Sequence, residues 1–101
     1  MQKITRIWHG RTKAAHADEY LKYVKDTGIA DYRSIRGNLS AKVLRRMDGN
    51  VCHFLTVTEW ESYESIINFA GSDFKKARYY PEDENYLLEF EEEVLHYETF
   101  E

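Results

Sequence analysis

Polar and apolar positions along the chain fall into two rhythms, one suited to strands and one to helices. From Ile4 to Arg11, Ile4, Ile7 and Trp8 stand among polar neighbours, and the segment closes on Gly10 and the polar run Arg11-Thr12-Lys13, which predicts a strand. Ala14 to Thr27 changes to helical spacing. Ala17, Leu21 and Val24 share one stripe, Asp18 and Glu19 fall in the first turn, Lys25 falls in the last, and Gly28 is the expected stop. Ile29, Tyr32 and Ile35 predict one further short helical turn before Gly37-Asn38 breaks it.

Leu39 to Met47 alternates in part and leads into Asp48-Gly49-Asn50, a hairpin signal of the type I′ kind, so Val51 to Trp60 is the returning strand. Ser62 is an N-cap for a helix carrying Ile66, Ile67, Phe69 and Ala70, closed by Gly71. A short helix over Asp73 to Arg78 is expected next. Tyr79-Tyr80-Pro81 interrupts the pattern, Glu82 to Leu88 is a loop or single turn, and Glu89 to Phe100 is the last strand. The order β-α-β-β-α-β is that of a ferredoxin-like α+β fold, with sheet order 4-1-3-2 and both helices on one face. The other sheet face is left bare, and two such faces packing together form a homodimer.

Composition supports that expectation. The 101 residues are one domain, 1–101, and the 43% apolar content includes eight tyrosines. Ile, Leu, Val and Phe number only 23 (six, seven, five and five), a thin core that a second chain or a ligand must help to cover. A mean hydropathy of −0.68 and the absence of a long apolar run argue against a membrane span. The polar start, Met1-Gln2-Lys3-Ile4-Thr5-Arg6, carries no secretory pattern, and a lone Cys52 fits a reducing cytoplasm as a small buried hydrophobe. The net charge of −4 hides an asymmetry: residues 82–101 hold nine acids and no Lys or Arg. The basic residues are scattered from Lys3 to Arg78, which argues against a nucleic-acid surface.

The strand order sets His9, His53 and His96 on three neighbouring strands. They make a metal site only if all three face the same side, and no ligand-spacing motif accompanies them, so no metal is assigned. His9 and His53, on the two central strands, are the candidate general bases, because an ordinary imidazole titrates near neutral pH. Trp8, Tyr32, Trp60, Tyr79 and Tyr80, with the Arg78 guanidinium, are candidates to bind a flat apolar ligand between helices and sheet. The alternative for such aromatics is plain core packing. No phosphate loop, nucleophile elbow or Cys-x-x-Cys pair is present, so no cofactor is assigned.

The residues Ile4 to Gly10, Trp60-x-Ser62 with Ile66, Phe69, Ala70 and Gly71, then Ala77-Arg78-Tyr79-Tyr80-Pro81-Glu82-Asp83 and finally Val94 to Glu98 resemble the antibiotic biosynthesis monooxygenase family of dimeric α/β barrels. The resemblance spans essentially the whole chain. It implies a dimer and, by similarity to the quinol and anthrone monooxygenases, oxygenation of an aromatic molecule without a bound cofactor. His9 or His53 would then be the base, Tyr79 or Arg78 the donor to the oxyanion, and Trp8 and Trp60 the walls. Haem-degrading members are a second implication, but at their characteristic Asn, Trp and His positions this chain offers Trp8 or His9, Phe69 and Arg78, which leaves His9 or His53 as the alternative iron ligand. A third reading is a non-catalytic dimer that binds a small molecule or another protein.

Overall fold

β1 (Ile4–Lys13) opens the computed structural model, which describes residues 2–101. It runs past Arg11 because Thr12 and Lys13 continue to pair, opposite Cys52 and Val51. A helical rod follows: a 3-10 turn (Ala14–His16), α1 (Ala17–Val24), a π turn (Lys25–Ile29) and α2 (Ala30–Ser34). Gly28 does not stop the helix as expected. The buried stripe of Ala17, Tyr20 and Val24 continues through Gly28 to Tyr32, so packing on the sheet outweighs the roughly 1 kcal/mol helix penalty of glycine.

β2 (Asn38–Asp48) and β3 (Val51–Trp60) form the expected hairpin. Its turn is Gly49-Asn50, and only Gly49 has a positive φ, 61°, so the turn follows the II′ pattern, which wants glycine first, and not I′. In α3 (Tyr63–Ala70) the Ser62 hydroxyl accepts from the Ser65 N–H at 3.3 Å, and Gly71 closes the helix with its N–H on the Ile67 carbonyl.

Two expectations after α3 need correction. Asp73 to Arg78 is not helical: after a turn, Lys76 pairs with Glu93 in an isolated bridge, with the Ala77 N–H on the Glu92 carbonyl and the Val94 N–H on the Lys75 carbonyl. The last strand is also shorter than Glu89 to Phe100, because only β4 (Leu95–Glu98) pairs with β1. Upstream of β4, Leu87 and Leu88 touch the far end of β1 in an isolated bridge at Thr12 and Arg11, and Val94 turns away to the Lys75 carbonyl. A 3-10 turn, Pro81–Asn85, fills the stretch between Tyr80 and Leu87.

The sheet is antiparallel throughout, in the order β2-β3-β1-β4 with the helices on one face, which is the ferredoxin-like arrangement. Strand pleating sends Ile4, Arg6, Trp8, Gly10 and Thr12 of β1, and Cys52, Phe54, Thr56, Thr58 and Trp60 of β3, toward the helices, where all ten are buried. On the opposite, open face stand Ile7, Leu55 and Val57, bordered by Leu44, Leu95 and Tyr97, which are half exposed. No helix among the described residues is long and apolar enough to cross a membrane.

Candidate active site

Pleating also decides which candidate residues meet. His9 lies next to Trp8 in β1 and therefore points the other way, to the open face, where His53 of β3 joins it one register step along. His9 Nε2 and His53 Nδ1 are 3.0 Å apart. The rings lie within 27° of coplanar with centres 5.3 Å apart, so the nitrogens point at each other as in a hydrogen bond and do not converge on a third point, as metal ligands would. His96 pairs with Arg6 across β1 and β4 and packs on Tyr63 of α3, so it sits on the helix side of the sheet. The three histidines are thus divided between two faces.

Each member of the His9–His53 pair is held at its outer nitrogen. Glu91 bonds His9 Nδ1, and Asp48 stands 3.4 Å from His53 Nε2. Glu91 arrives from the unpaired segment along the β1 edge, where Glu89 forks onto Arg11, which holds the Glu89 carboxyl below its ordinary range. Tyr79 fixes that segment from the helix side: its hydroxyl donates to the Glu91 carbonyl at 2.7 Å and accepts from Trp8 Nε1 at 3.3 Å. Trp8 and His9, back to back on β1, are in this way tied to one residue, Glu91.

The row Glu91, His9, His53, Asp48 has room for three hydrogen bonds between four groups. Carboxylates only accept, so filling all three requires three protons on four ring nitrogens, one more than two neutral imidazoles carry. With two protons one of the three bonds goes unfilled; placing them on His9 Nδ1 and His53 Nδ1 fills the two shorter contacts and leaves His53 Nε2 with a free lone pair toward Asp48. Taking up one proton at His53 Nε2 completes the row. Beside it lies a groove of about 330 Å³ lined by Leu44, Leu55, Arg45, Arg46 and both imidazoles, an apolar floor with cationic and basic edges.

The aromatic candidates lie on the other side of the sheet. Trp60 is wholly buried, its Nε1 on the Thr58 hydroxyl, and its ring and that of Tyr32 pack against Phe69. Arg78 caps the end of α3 by donating to the Phe69 carbonyl at 3.3 Å and lies over the Phe69 and Tyr80 rings. Tyr80 donates to Asp31 at 2.6 Å, and burial, followed by that carboxylate, pushes its hydroxyl well above the ordinary range. The space left among Trp8, Tyr20, Tyr32, Arg78, Tyr79 and Asp83 is about 30 Å³, enough for a water or two and too small for an aromatic ring system. The structure therefore does not bring the histidine base and the tryptophan walls into one pocket. Nor do Phe69 and Arg78, at the positions compared with haem-degrading enzymes, present an iron ligand.

Sequence reading missed Glu91, Asp48, Arg46 and the buried Asp83. Asp83 takes the Tyr20 hydroxyl at 2.8 Å and the Tyr80 N–H at 2.6 Å, and burial raises its carboxyl and the Tyr20 hydroxyl. Parity along the strands was the available signal: positions 8 and 9, or 53 and 60, differ by odd numbers and cannot share a face of a regular strand.

No family model matches the sequence, and no curated protein matches it. Solved structures do share the fold. A Bacillus cereus protein provisionally named an antibiotic biosynthesis monooxygenase superposes with a TM-score of 0.68 at 14% identity, over 98% of this chain and 94% of that one. One from Nitrosomonas europaea with the same provisional name gives 0.64 at 11%, over 97% and 89%. A Pseudomonas aeruginosa protein gives 0.64 at 18%, over 100% and 95%. The chain has the ferredoxin-like fold of proteins provisionally named antibiotic biosynthesis monooxygenases.

Proposed function

We propose that this chain is a monooxygenase of the antibiotic biosynthesis type, acting on a quinol- or anthrone-like aromatic molecule without a bound cofactor. The observation that carries the reading is the Glu91–His9–His53–Asp48 row at the edge of the open-face groove. Such a substrate needs a base and a cation near its oxygen, because its deprotonated form is electron-rich enough to reduce O₂ itself. His53 Nε2 takes the substrate proton, His9 and Glu91 spread the resulting charge, and Arg46, opposite His53 in the β2–β3 register, faces the oxyanion. For an anthrone methylene the carbanion passes one electron to O₂, and the radical pair combines to a peroxide. Loss of the second C–H proton with O–O cleavage then leaves a carbonyl and water, so that R₂CH₂ + O₂ gives R₂C=O + H₂O.

The working unit is a homodimer. Leu95 and Tyr97 are 58% and 49% exposed beside Ile7 and Val57, an apolar patch at the β4 end of the open face that a second copy covers. The groove lies at the hairpin end of that face, where the partner excludes bulk water from it. Oxygen uptake with a panel of naphthalenediols and anthrones tests the reading. Uptake above the uncatalysed rate, lost in His53→Gln, is expected; no uptake across the panel overturns it.

A further inference from the structure

The carboxylate that holds His9 is carried by backbone without a ladder. Residues 88–92 lie between the isolated bridges Thr12–Leu87 and Lys76–Glu93, outside every strand. Among the described residues the Glu91 backbone makes one hydrogen bond, and its partner is a side chain: the Tyr79 hydroxyl donates to the Glu91 carbonyl at 2.7 Å. Phe90, the preceding residue, packs edge-on against the Tyr79 ring with centres 4.8 Å apart. Tyr79 is anchored in turn, accepting from Nε1 of the buried Trp8 at 3.3 Å, so the place of Glu91 is set from the core.

What Glu91 decides is the direction of the proton row. Two neutral imidazoles carry two protons for three contacts, and two arrangements fill the central contact together with one outer one. In the first, His9 Nδ1 donates to Glu91 and His53 Nδ1 donates to His9 Nε2, which leaves the lone pair on His53 Nε2. In the second, His9 Nε2 donates to His53 Nδ1 and His53 Nε2 donates to Asp48, which leaves the lone pair on His9 Nδ1. Both protons outward would set two lone pairs against each other at 3.0 Å. A hydrogen bond at one ring nitrogen selects the tautomer, and here two carboxylates compete to make it. Asp48 is the weaker competitor: it stands 3.4 Å from His53, it is shared with Arg46 at 3.9 Å, and its side chain is 60% exposed against 38% for Glu91.

We propose that Tyr79 is the positioning residue that fixes this direction: by holding the Glu91 carbonyl it keeps the carboxylate on His9 Nδ1 and the free lone pair on His53 Nε2, beside the groove. The inference rests on the proposed reaction only in taking His53 Nε2 as the base there. Tyr79 does not itself serve a substrate oxyanion, because its proton is given to Glu91 and its ring lies on the helix side of the sheet with Trp8.

Nitrogen NMR of the imidazoles in the full chain at about pH 8, above the ordinary imidazole range, reads the tautomer of each ring. Wild-type His53 is expected to carry its proton mainly on Nδ1, and Tyr79→Phe to shift the ratio toward Nε2 by about two- to tenfold, the worth of one hydrogen bond. Glu91→Ala, which removes the acceptor outright, is expected to shift it the same way and further. Tyr20→Phe, which loses a buried hydroxyl elsewhere in the core, leaves the ratio unchanged. His53 protonated mainly on Nε2 in the wild type overturns the proposal with no variant needed. A ratio that Glu91→Ala moves and Tyr79→Phe does not, or one that Tyr20→Phe moves as far, overturns it too. Oxygen uptake plays no part in the readout, so the expected tautomers in a protein without uptake support the positioning while the proposed reaction fails.

Discussion

Acidifying the protein from pH 7 to pH 4 should expose the state of His96. Burial, and then the nearby Arg6 and Lys75 charges, push its imidazole from 6.5 down to about 4 in the folded chain. In the unfolded chain the same group takes up a proton near its ordinary value. Between these two values the unfolded chain therefore binds more protons, and stability falls as pH falls through the window. A fully realised difference is worth about 3.4 kcal/mol, at 1.36 kcal/mol for each pH unit. His96 keeps some contact with solvent, and screening reduces this to about 1–2 kcal/mol. Other groups titrate nearby with both signs. Glu89 and Glu101, held low by Arg11 and Lys3, lose their contribution as pH falls through the carboxylate range, whereas buried Asp83, held high, works in the opposite direction. The informative quantity is thus the difference between the wild type and His96→Gln, which is uncharged throughout. Urea denaturation followed by fluorescence of the buried Trp60 should show the wild type losing about 1–2 kcal/mol more than the variant between pH 6.5 and 4. A difference that stays flat over this window, or that grows in the wild type's favour, refutes the burial and cation environment assigned to His96.

Other expectations concern packing and assembly. Gly10→Ala places a methyl group against the Trp8 indole, with Leu87 3.1 Å behind it, and should cost about 1–3 kcal/mol, read as a fall in Tm of several degrees. Tyr20→Phe removes a hydroxyl from the buried Asp83 and should cost about 1–3 kcal/mol in urea denaturation; an unchanged midpoint would mean that the contact adds nothing. Leu95→Lys puts a charge on a side chain 58% exposed in the single chain and buried in the proposed homodimer, so sedimentation should show a dimer for the wild type and a monomer for the variant, with the far-ultraviolet spectrum intact; a monomeric wild type would refute the proposed assembly.

Much of the fold could be read from local chemistry. Asp48-Gly49-Asn50 marks the hairpin, Ser62 and Gly71 bracket α3, and the β-α-β-β-α-β order fixes the strand neighbours. Failures came where tertiary contacts outweighed local signals. Gly28 looks like a stop, but it belongs to a stripe that stays buried through the π turn. Glu89 to Val94 looks like a strand, but the backbone bonds of Glu92 and Val94 go to residues 75–77 in place of a ladder with β1. The site was half legible. His9 and His53 emerge as a pair from strand order alone, whereas Glu91 and Asp48 come from a loop edge and a hairpin end that no periodicity marks. Grouping His9 with Trp8 and Trp60 overlooked the pleat. Adjacent strand residues face opposite ways, so the aromatic set lies in the core and the histidines on the open face as the candidate site.

In the proposed reaction the His9–His53 row removes a proton from a bound aromatic molecule before oxygen reacts. Mixing the protein with an anthrone in the absence of oxygen isolates that step, since the substrate anion absorbs at longer wavelength than the neutral molecule. The wild type is expected to generate the anion band and His53→Gln to fail to, with a deprotonation rate lower by roughly 10²–10⁴-fold. An anion band of equal size and rate in both proteins, or none in either, contradicts it.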